Sequence, residues 1–515
     1  MWVSLHKFMQ FFLVMAVRNM DRKHFFDFMV RFFAFLDGPL TILCLLLIIY
    51  IPYWFIGGRH MYKNRKLILG VAPTRRDYFT NETVEANRDR ILSVTRELCA
   101  QYDVQMVGIE GLSPDGMMSD IHAADRIIQR FREQGVNALF IPHCNFGQEE
   151  TVLRLGRAMQ VPLLLWGERD EAPNGFAWRT TDTQCGLFAS GKALYRGGIP
   201  FTYIENCMMD DAAFRDGFRD FLTAARIVAN LRGTRIAQIS VRPQPFLSVM
   251  INESELLERF GFEVIPVPAT QILSSARALA DTPEAKAVLE GYTAAGVDTS
   301  RMDQQSLRNM AGLELAIEQF AAENGCSSVV SECWNIFGES LGIRPCAVFG
   351  NLIDKGLPVA CENDVHGAIS MLIAQACNNG AEPVFLADLT QRHPTNDNAE
   401  LLWHCGPFPK GLKKSGGHAF LSESMGQWEL KGGSLTLVRF DGCRGTYQLL
   451  AGPAHTCQGP LTNGNYVWAE VDDWPRWERK LVCGPYIHHV AGVYGDYTRA
   501  VEEACKYLPV SFDRP

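Results

Sequence analysis

The sequence predicts an α/β protein with two Rossmann-like parallel-sheet domains followed by a β-rich C-terminal domain. Apolar runs alternate with amphipathic helical stretches twice along the chain, which is typical of parallel sheets with helical crossovers. Further on, period-two alternation broken by glycine turns indicates antiparallel strands. A chain of 515 residues is also too long for a single hydrophobic core, so several domains are expected.

The first α/β domain is predicted at residues 61–225. Its strands are short apolar runs separated by helices with apolar residues at helical spacing. The predicted strands are "KLILGVAP", "DVQMVGIEG", "VNALFIPH" and "VPLLLWGE". The stretch "GLFASGKA" (Gly186–Ala193) resembles a phosphate-binding loop, but Ala193 stands where that loop needs Ser or Thr. We therefore interpret it as the start of a helix.

The second α/β domain is predicted at residues 226–395 and the β-rich domain at residues 396–515. The second alternation begins at "TRIAQISVRP" and ends at "EPVFLADLT". Within it, "LPVAC" is a predicted strand, and "VHGAISMLIAQACNNG" is a predicted helix that Gly380 ends. The last part contains "GQWELKGGSLTLVRFDGCRGTYQLLAGPAHT", with the alternation of antiparallel strands, and a final helix, "YTRAVEEACKYL".

Residues 1–60 differ in composition from the rest of the chain. The segment 38–58 carries no charge, is long enough to span a bilayer, and has basic residues on both sides. One interpretation is a membrane anchor that leaves the body of the protein in the cytoplasm. The alternative is a natural start at Met61, which opens a sequence typical of a soluble α/β protein.

Composition argues against several classes of protein. The net charge of −8 and the absence of a basic block from the body of the chain argue against a nucleic-acid partner. The 15 cysteines include no C-x-x-C pair, which argues against a zinc ribbon or a thioredoxin-type site. Scattered thiols in a long chain favour a reducing compartment, so we expect a cytoplasmic protein.

Two carboxylates are predicted to converge at one edge of a sheet. Glu362 follows the strand "LPVAC", and Asp388 ends the next strand, "EPVFLAD". We interpret the segment as a βαβ unit, whose parallel strands end at the edge where open α/β sheets bind ligands. Two converging carboxylates favour a cation between them, and the alternative is a pair of solvated acids at strand–loop junctions.

A histidine is the third candidate ligand. His488 and His489 are adjacent in a strand-like context, so at most one is expected to enter a site. Two carboxylates and one imidazole suit Mn²⁺ or Mg²⁺. Asp364 is predicted to be the N-cap of the following helix, so Asp364→Asn is expected to leave the metal in place. His366, in the first turn of that helix, needs no role in the site.

The stretch "ENDVHGAISMLIAQACNNGAEPVFLAD", followed distantly by "HHVAGVYGD", resembles the L-fucose isomerase family and, more loosely, L-arabinose isomerase. The resemblance covers residues 61–510 and is strongest over 331–404 and 484–500. It implies an intramolecular oxidoreductase that interconverts an aldose and a ketose through an ene-diol, with Mn²⁺ as cofactor and Mg²⁺ as the alternative. It also implies a small-molecule sugar as partner and a homo-trimer or homo-hexamer with sites at subunit interfaces.

The resemblance also implies roles for particular residues. The metal ligands would be Glu362, Asp388 and His489, and the same two acids would be the catalytic acid/base pair, with the assignment of base and acid left open. The substrate-binding residues that the resemblance implies are His404 in "LLWHCGP", and Glu332 and Trp334 in "SECW". The chain looks shorter than the fucose enzymes between "ECW" and "END", so the sugar stays open.

Two other functions are compatible with the same scaffold. One is a non-catalytic sugar-binding or regulatory protein, and the other is a lyase or epimerase with the same metal site. The presence of all three candidate ligands argues against a mere binder. The loop "HCNFGQEE" (His143–Glu150) either reaches the site of a neighbouring subunit or is a polar loop in which Asn145 caps a helix.

Overall fold

The computed structural model describes residues 65–77, 82–177, 179 and 181–515. The proposed anchor at 38–58 lies outside the described residues. Within the described ranges, no helix combines the length and the apolar character needed to cross a membrane.

The first layer is a five-stranded parallel sheet with the strand order β2-β1-β3-β4-β5. Its strands are β1 (Ile68–Val71), β2 (Gln105–Val107), β3 (Ala138–His143), β4 (Leu163–Gly167) and β5 (Thr202–Tyr203). The helices are α1 (Glu82–Gln101), α2 (Ile121–Glu133), α3 (Glu149–Met159), α4 (Thr183–Arg196) and α5 (Ala212–Leu231). The stretch that resembles a phosphate loop lies within α4, so its interpretation as a helix is confirmed.

Helices cover both faces of this sheet. Leu164 and Trp166 of β4 pack in one apolar cluster with α1 and α5, whereas Leu163 and Leu165 pack in another with α2, α3 and α4. Successive strand residues point to opposite faces, so a strand that is buried on both faces is apolar throughout. This explains why the strand reads as an uninterrupted apolar run in the sequence.

The second layer is a four-stranded parallel sheet with the order β7-β6-β8-β9. Its strands are β6 (Arg235–Ile239), β7 (Glu263–Val267), β8 (Ser328–Ser331) and β9 (Val359–Cys361). The helices of this part are α6 (Glu253–Phe260), α7 (Ala269–Leu279), α8 (Pro283–Ala294), α9 (Gln304–Glu323), α10 (Ile336–Leu341), α11 (Cys346–Asp354) and α12 (Val365–Cys377).

The third layer is a nine-stranded, largely antiparallel sheet with the order β12-β13-β16-β11-β10-β17-β14-β15-β18. Its strands are β10 (Phe385–Arg392), β11 (Ala399–His404), β12 (Phe420–Ser422), β13 (Met425–Glu429), β14 (Ser434–Cys443), β15 (Thr446–Cys457), β16 (Asn465–Glu470), β17 (His489–Tyr494) and β18 (Ser511–Asp513). The remaining helices are α13 (Trp474–Cys483) and α14 (Thr498–Cys505). These three layers confirm the predicted fold class.

The strands at the centre of the third sheet close on themselves. The run from β16 through β11, β10, β17 and β14 to β15 is continuous, and β15 also pairs with β16. The pairings therefore form a ring of strands, in which no internal edge is left without a hydrogen-bonding partner. The ring fixes which side chains of each strand point inward and which point outward, including those of Asp388 in β10 and His489 in β17.

One interpretation of the sequence is wrong. The stretch containing Asp388 was expected to form the parallel strand after β9 in the same sheet, which would complete a βαβ unit. Instead β10 belongs to the third sheet and pairs antiparallel with β11 and β17. An apolar run predicts that a strand forms but not its partners, which here are β11, the next strand in the chain, and β17, about a hundred residues further on.

Helix α12 joins the second and third sheets. All of its residues are buried, and one continuous apolar core contains residues from both sheets and from this helix. Asp364 is its N-cap and accepts a hydrogen bond from the backbone N–H of Gly367, as predicted. The helix ends at Cys377, and Gly380 follows in the left-handed conformation, which agrees with its predicted role.

Candidate active site

The site begins at the carboxyl edge of the second sheet. Glu362 and Asn363 follow β9 with φ angles of 63° and 56°, a left-handed conformation that costs energy in residues other than glycine. Trp334 lies just beyond the neighbouring strand β8, and its indole N–H donates to Oε1 of Glu362 at 3.1 Å. The parallel pairing of β8 and β9 therefore brings the predicted Trp334 and Glu362 together.

The third sheet supplies the other two predicted ligands. Asp388 of β10 lies directly opposite His489 of β17 in the antiparallel register. Residues that face each other across such a pair hold their side chains close together on one face of the sheet. Asp388 thus reaches the site from within a strand of a different sheet, and the convergence with Glu362 arises by a route other than the predicted one.

Three side-chain atoms meet between the two sheets. Nε2 of His489 lies 3.2 Å from Oε2 of Glu362 and 3.3 Å from Oδ1 of Asp388. All three atoms are buried, and none has a hydrogen-bond partner in the described part of the chain. Ligands of an octahedral Mn²⁺ or Mg²⁺ ion lie about 3 Å from their neighbours, given metal–oxygen distances of about 2.1 Å. The distances from Nε2 to the two oxygens match that spacing, whereas the group whose ligand atoms all lie within 4.8 Å of one another is Asp388, His488 and His489.

The other nitrogen of His489 is fixed by Asp364. Its Nδ1 donates to Oδ2 of Asp364 at 2.8 Å, which leaves Nε2 pointing at the two acids. Arg439 of β14 holds the same carboxylate through two hydrogen bonds, of 2.5 and 3.1 Å. Carboxylates that hold a ligating histidine in this way set its tautomer and its orientation. Asp364 is thus both the helix cap and a positioning residue.

The ionisation of these groups follows from their neighbours. Burial alone would raise the pKa of Glu362, but the contact with His489 at 3.2 Å and the charges of His404 and His489 lower it to about 2. Burial would lower the pKa of His489, but Asp364 and Glu362 raise it to about 9. Burial alone would raise the pKa of Asp364, but the charges and hydrogen bonds of Arg439 and His489 together hold it well below its usual range. Glu362 and Asp364 are therefore ionised at neutral pH.

The neighbouring histidine is closer to the site than expected. One nitrogen of His488, one of His489 and one oxygen of Asp388 all lie within 4.8 Å of one another, a spacing that could also hold a metal ion. The expectation that at most one of the pair enters the site therefore stays a prediction. Strand β17 begins at His489, so the side-chain alternation of a strand does not govern His488.

His366 takes part in a buried polar network behind the site. Its Nδ1 lies 2.9 Å from Oδ1 of Asp441, whose other oxygen accepts from Nε of Arg439 at 2.9 Å. Arg439 in turn holds Asp364. The histidine therefore supports the carboxylate that orients His489, and it does not face the three converging atoms.

The other two predicted substrate-binding residues lie in different surroundings. His404 ends β11 and is buried, and its Nδ1 accepts the backbone N–H of Cys405 at 2.9 Å. Its Nε2 has no hydrogen-bond partner in the described residues and is available to a ligand. Glu332 instead accepts backbone N–H bonds at 2.9 to 3.2 Å from Trp334, Asn335 and Ile336. Its carboxylate shapes the turn that carries Trp334.

Phe246 is a site residue that sequence reasoning missed. Its ring stacks on those of Trp334 and His488, with centroids 5.9 Å apart in each case, and meets His489 edge-on at 5.6 Å. It belongs to the loop after β6, at the same carboxyl edge of the second sheet. A lone aromatic residue in a loop gives no sequence signal, and only the position of that loop would have pointed to it.

The loop His143–Glu150 of the first sheet does not follow the expected capping pattern. Gln148 precedes α3, and Asn145 instead accepts the backbone N–H groups of Arg76 and Gly147. The imidazole of His143 is buried beside the hydroxyl of Ser190, at 2.9 Å. Asn145 thus ties two loops of the same edge together, and its prediction as a helix cap is wrong.

Comparisons with known proteins place the chain among sugar isomerases. The family model for the N-terminal domain of fucose/sulfoquinovose isomerase matches residues 70–232. A sulfoquinovose isomerase from Alkalicoccus urumqiensis is 25% identical over 322 residues, which cover 61% of this chain and 71% of that relative. One from Priestia aryabhattai is 20% identical over 455 residues, which cover 85% and 96%.

The comparison with solved structures gives weaker similarity than the sequence relatives do. An ABC transporter periplasmic solute-binding protein from Actinobacillus succinogenes with bound D-allose is 11% identical and covers 61% of this chain and 92% of that one. Its TM-score of 0.16 is too low for a statement about shared fold.

The layered fold, the converging acids and the sequence relatives together define an enzyme of the aldose–ketose isomerase class that acts on a sugar. The chain is similar to the L-fucose isomerase-like family over residues 70–232 and to sulfoquinovose isomerases over a longer part of its length.

Proposed function

We propose that the protein is a metal-dependent isomerase that interconverts an aldose and its ketose through an ene-diol. Mn²⁺ is the proposed cofactor, with Mg²⁺ as the alternative, and Glu362, Asp388 and His489 are the proposed ligands. The observation that carries this proposal is the approach of two buried carboxylate oxygens, from Glu362 and Asp388, to the same buried nitrogen of His489, at 3.2 and 3.3 Å. None of the three atoms makes a hydrogen bond within the described residues, and a cation would supply the partner that buried polar atoms generally have.

The carboxylates perform the proton transfer in this proposal. The reaction moves a proton from C2 of the aldose to C1 and moves a hydroxyl proton from O2 to O1, so no oxidant is consumed. One of Glu362 and Asp388 takes the C2 proton, and the acid so formed returns a proton to C1. When bound, a divalent cation supplies positive charge beside O1 and O2, where negative charge develops.

The remaining site residues hold the sugar. Trp334 and Phe246 provide an aromatic surface at the mouth of the site, and residue Trp334 is 47% exposed. His404 offers its Nε2–H to a substrate oxygen. Glu332 acts on the substrate indirectly, by fixing the turn that presents Trp334.

The substrate and the assembly are also proposals. The relatives are named sulfoquinovose isomerases, so a six-carbon sulfonated aldose is the first substrate to test, before L-fucose and L-arabinose. We infer a homo-trimer or homo-hexamer, which light scattering coupled to gel filtration would measure. A cytoplasmic location is supported by the cysteines of the described chain, all of which are free thiols where they are described.

The function is tested by an isomerase assay on these sugars with Mn²⁺ added after chelation. Glu362→Gln should reduce kcat by about 100-fold or more, because it removes both a proton-transfer group and a metal ligand. The matched control is Glu400→Gln, which changes another buried glutamate with an unpaired oxygen on β11 and should keep activity. No product from any sugar, together with no bound metal in the purified protein, would refute the proposal.

A further inference from the structure

A cavity of about 510 Å³ opens at the carboxyl edge of the second sheet. It is lined by the loop after β6 and by the start of the segment after β9. The polar residues of its wall are Gln238, Arg242, Gln244 and Asn363. The residues are contributed by the strand ends at which open α/β sheets bind ligands.

The cavity adjoins the proposed reaction centre. Asn363 of its wall directly follows Glu362 in the chain. Phe246, in the same loop as Arg242, stacks against Trp334 and touches His489 edge-on. A sugar with its C1 and C2 beside Glu362 would therefore extend its far end toward this loop.

The cavity wall contains an unneutralised cation. Nη1 of Arg242 donates to the backbone oxygens of Pro243 and Gln244, at 3.1 and 2.8 Å, which hold the guanidinium in place. No carboxylate pairs with this side chain in the described part of the chain, and its Nε and Nη2 make no hydrogen bond there. A guanidinium held by its own loop, with two donors to spare, matches two oxygens of a tetrahedral oxyanion.

A second unpaired group lies in the same wall. Asn363 is 2% exposed, and its Oδ1 is buried without a hydrogen-bond partner among the described residues. Its Nδ2 donates to the backbone oxygen of Ile239 at 3.4 Å, so Oδ1 is the amide atom that remains available to accept a hydrogen bond. A buried acceptor of this kind is satisfied by a hydroxyl group of a ligand.

We propose that this cavity binds the anionic end of the substrate, with Arg242 as the specificity-determining residue. The group is a sulfonate or a phosphate on the terminal carbon of the aldose, and Asn363 accepts a hydrogen bond from a sugar hydroxyl. The inference rests on the proposed isomerase function and deepens it, because it names the feature by which the site selects its sugar.

The test compares three aldohexoses in the Mn²⁺-loaded enzyme: 6-deoxy-6-sulfoglucose, glucose 6-phosphate and the uncharged 6-deoxyglucose. Arg242→Gln should lower kcat/KM for the preferred anionic sugar by about 10- to 100-fold, mainly through KM, the range for loss of a charge-assisted hydrogen-bonded pair. It should leave the uncharged sugar unchanged. Arg242→Lys should recover part of the loss, because it restores the charge without the fork.

The control is Arg235→Gln. Arg235 lies at the start of β6, and Arg242 lies in the loop that follows the other end of this strand. Arg235 pairs with Glu263 at 3.1 Å, outside the cavity, so this variant should treat all three sugars as the wild type does. Mn²⁺ affinity, measured by electron paramagnetic resonance, should be the same in Arg242→Gln and the wild type. The sulfonated and phosphorylated sugars distinguish the two kinds of anion.

The two proposals fail in different ways. If Arg242→Gln lowers turnover of charged and uncharged sugars equally, the anion site is refuted while the isomerase stands. If no sugar turns over, calorimetric binding of the two anionic sugars to wild type and Arg242→Gln still decides the matter. Equal binding to both proteins would overturn the inference.

Discussion

His489 illustrates how one residue acquires its role from both of its ring nitrogens. Nδ1 is tied to Asp364, and Nε2 meets Glu362 and Asp388. The sequence pointed to the histidine through its resemblance to a family. It did not show that Asp364 would lie against it, because the two residues are 125 positions apart and belong to different elements.

The position of Asp364 reverses the expectation for Asp364→Asn. Since the carboxylate fixes the imidazole of His489, we now predict that the substitution weakens Mn²⁺ binding by about 10- to 100-fold. Titration with Mn²⁺ followed by electron paramagnetic resonance gives the affinity. Asp303→Asn is the control, because Asp303 caps α9 by the same bond to a backbone N–H but touches no proposed ligand.

Asp364→Asn also affects Arg439, and the effect on stability can be measured. Arg439 would lose part of its charge compensation in Asp364→Asn, so thermal unfolding is recorded beside the metal titration. If the variant is destabilised yet binds Mn²⁺ as tightly as the wild type, Asp364 is structural only.

The pKa of His489 predicts that metal binding releases a proton. In the metal-free protein this pKa is raised to about 9, so the ring is protonated at pH 7, whereas a ligating nitrogen must be free of its proton. The bound form thus holds fewer protons, and raising the pH favours binding up to about pH 9. Calorimetry in two buffers of different ionisation enthalpy should show about one proton released at pH 7. Affinity that is independent of pH between 6 and 8 would contradict this.

At the scale of elements, helix α12 positions the site through its first turn. Gly367 lies against the capping carboxylate, and a Cβ atom there would be 2.3 Å from Oδ2 of Asp364 and 3.2 Å from Leu386. The close contact requires glycine at this position. The helix is buried on all sides, so it cannot shift to relieve a clash.

We predict that Gly367→Ala lowers the melting temperature and weakens Mn²⁺ binding, because it displaces Asp364 and with it His489. Differential scanning fluorimetry and the same metal titration measure both effects. Gly291→Ala in α8 is the matched control, since no atom lies within 4 Å of the added methyl group. That change should be neutral or stabilising by up to about 1 kcal/mol. Normal metal affinity in Gly367→Ala would show that the cap tolerates displacement.

Individual helices and strands were predictable from the sequence, but the pairing of the strands was not. The strand and helix of "LPVACENDVHGAISM" were predictable, because hydrophobic spacing and a capping residue are local signals. The sheet membership of β10 was not, because it depends on pairing with β17 and β11 from other parts of the chain. The predicted meeting of Glu362 and Asp388 was therefore correct in outcome and wrong in its geometric reason.

The roles of residues that belong to no recognisable motif could not be predicted from the sequence. Phe246 and Arg242 lie in an irregular loop, and their importance depends on where the end of β6 falls beside β8. Arg439 reads as an ordinary charge in a strand, although it is fully buried and holds two carboxylates. Such roles follow from tertiary contacts that no local pattern encodes.

At the scale of the whole molecule, the proposed metal site connects two sheets. Glu362 comes from the end of the parallel second sheet, whereas Asp388 and His489 come from the strand ring of the third. The two sheets also share one apolar core through α12. A cation bound by all three ligands would stabilise only the arrangement in which both sheets are in place.

Mn²⁺ should therefore stabilise the folded protein against heat. A ligand that binds only the native state at 100 times its Kd adds about 2.7 kcal/mol to the free energy of unfolding. We predict that the melting temperature of chelator-treated protein rises with Mn²⁺ concentration. Glu362→Gln should show a much smaller rise, whereas Glu400→Gln should respond as the wild type does. An equal rise in Glu362→Gln would mean that the stabilising ion binds elsewhere, and the joint between the two sheets would then be held by apolar packing alone.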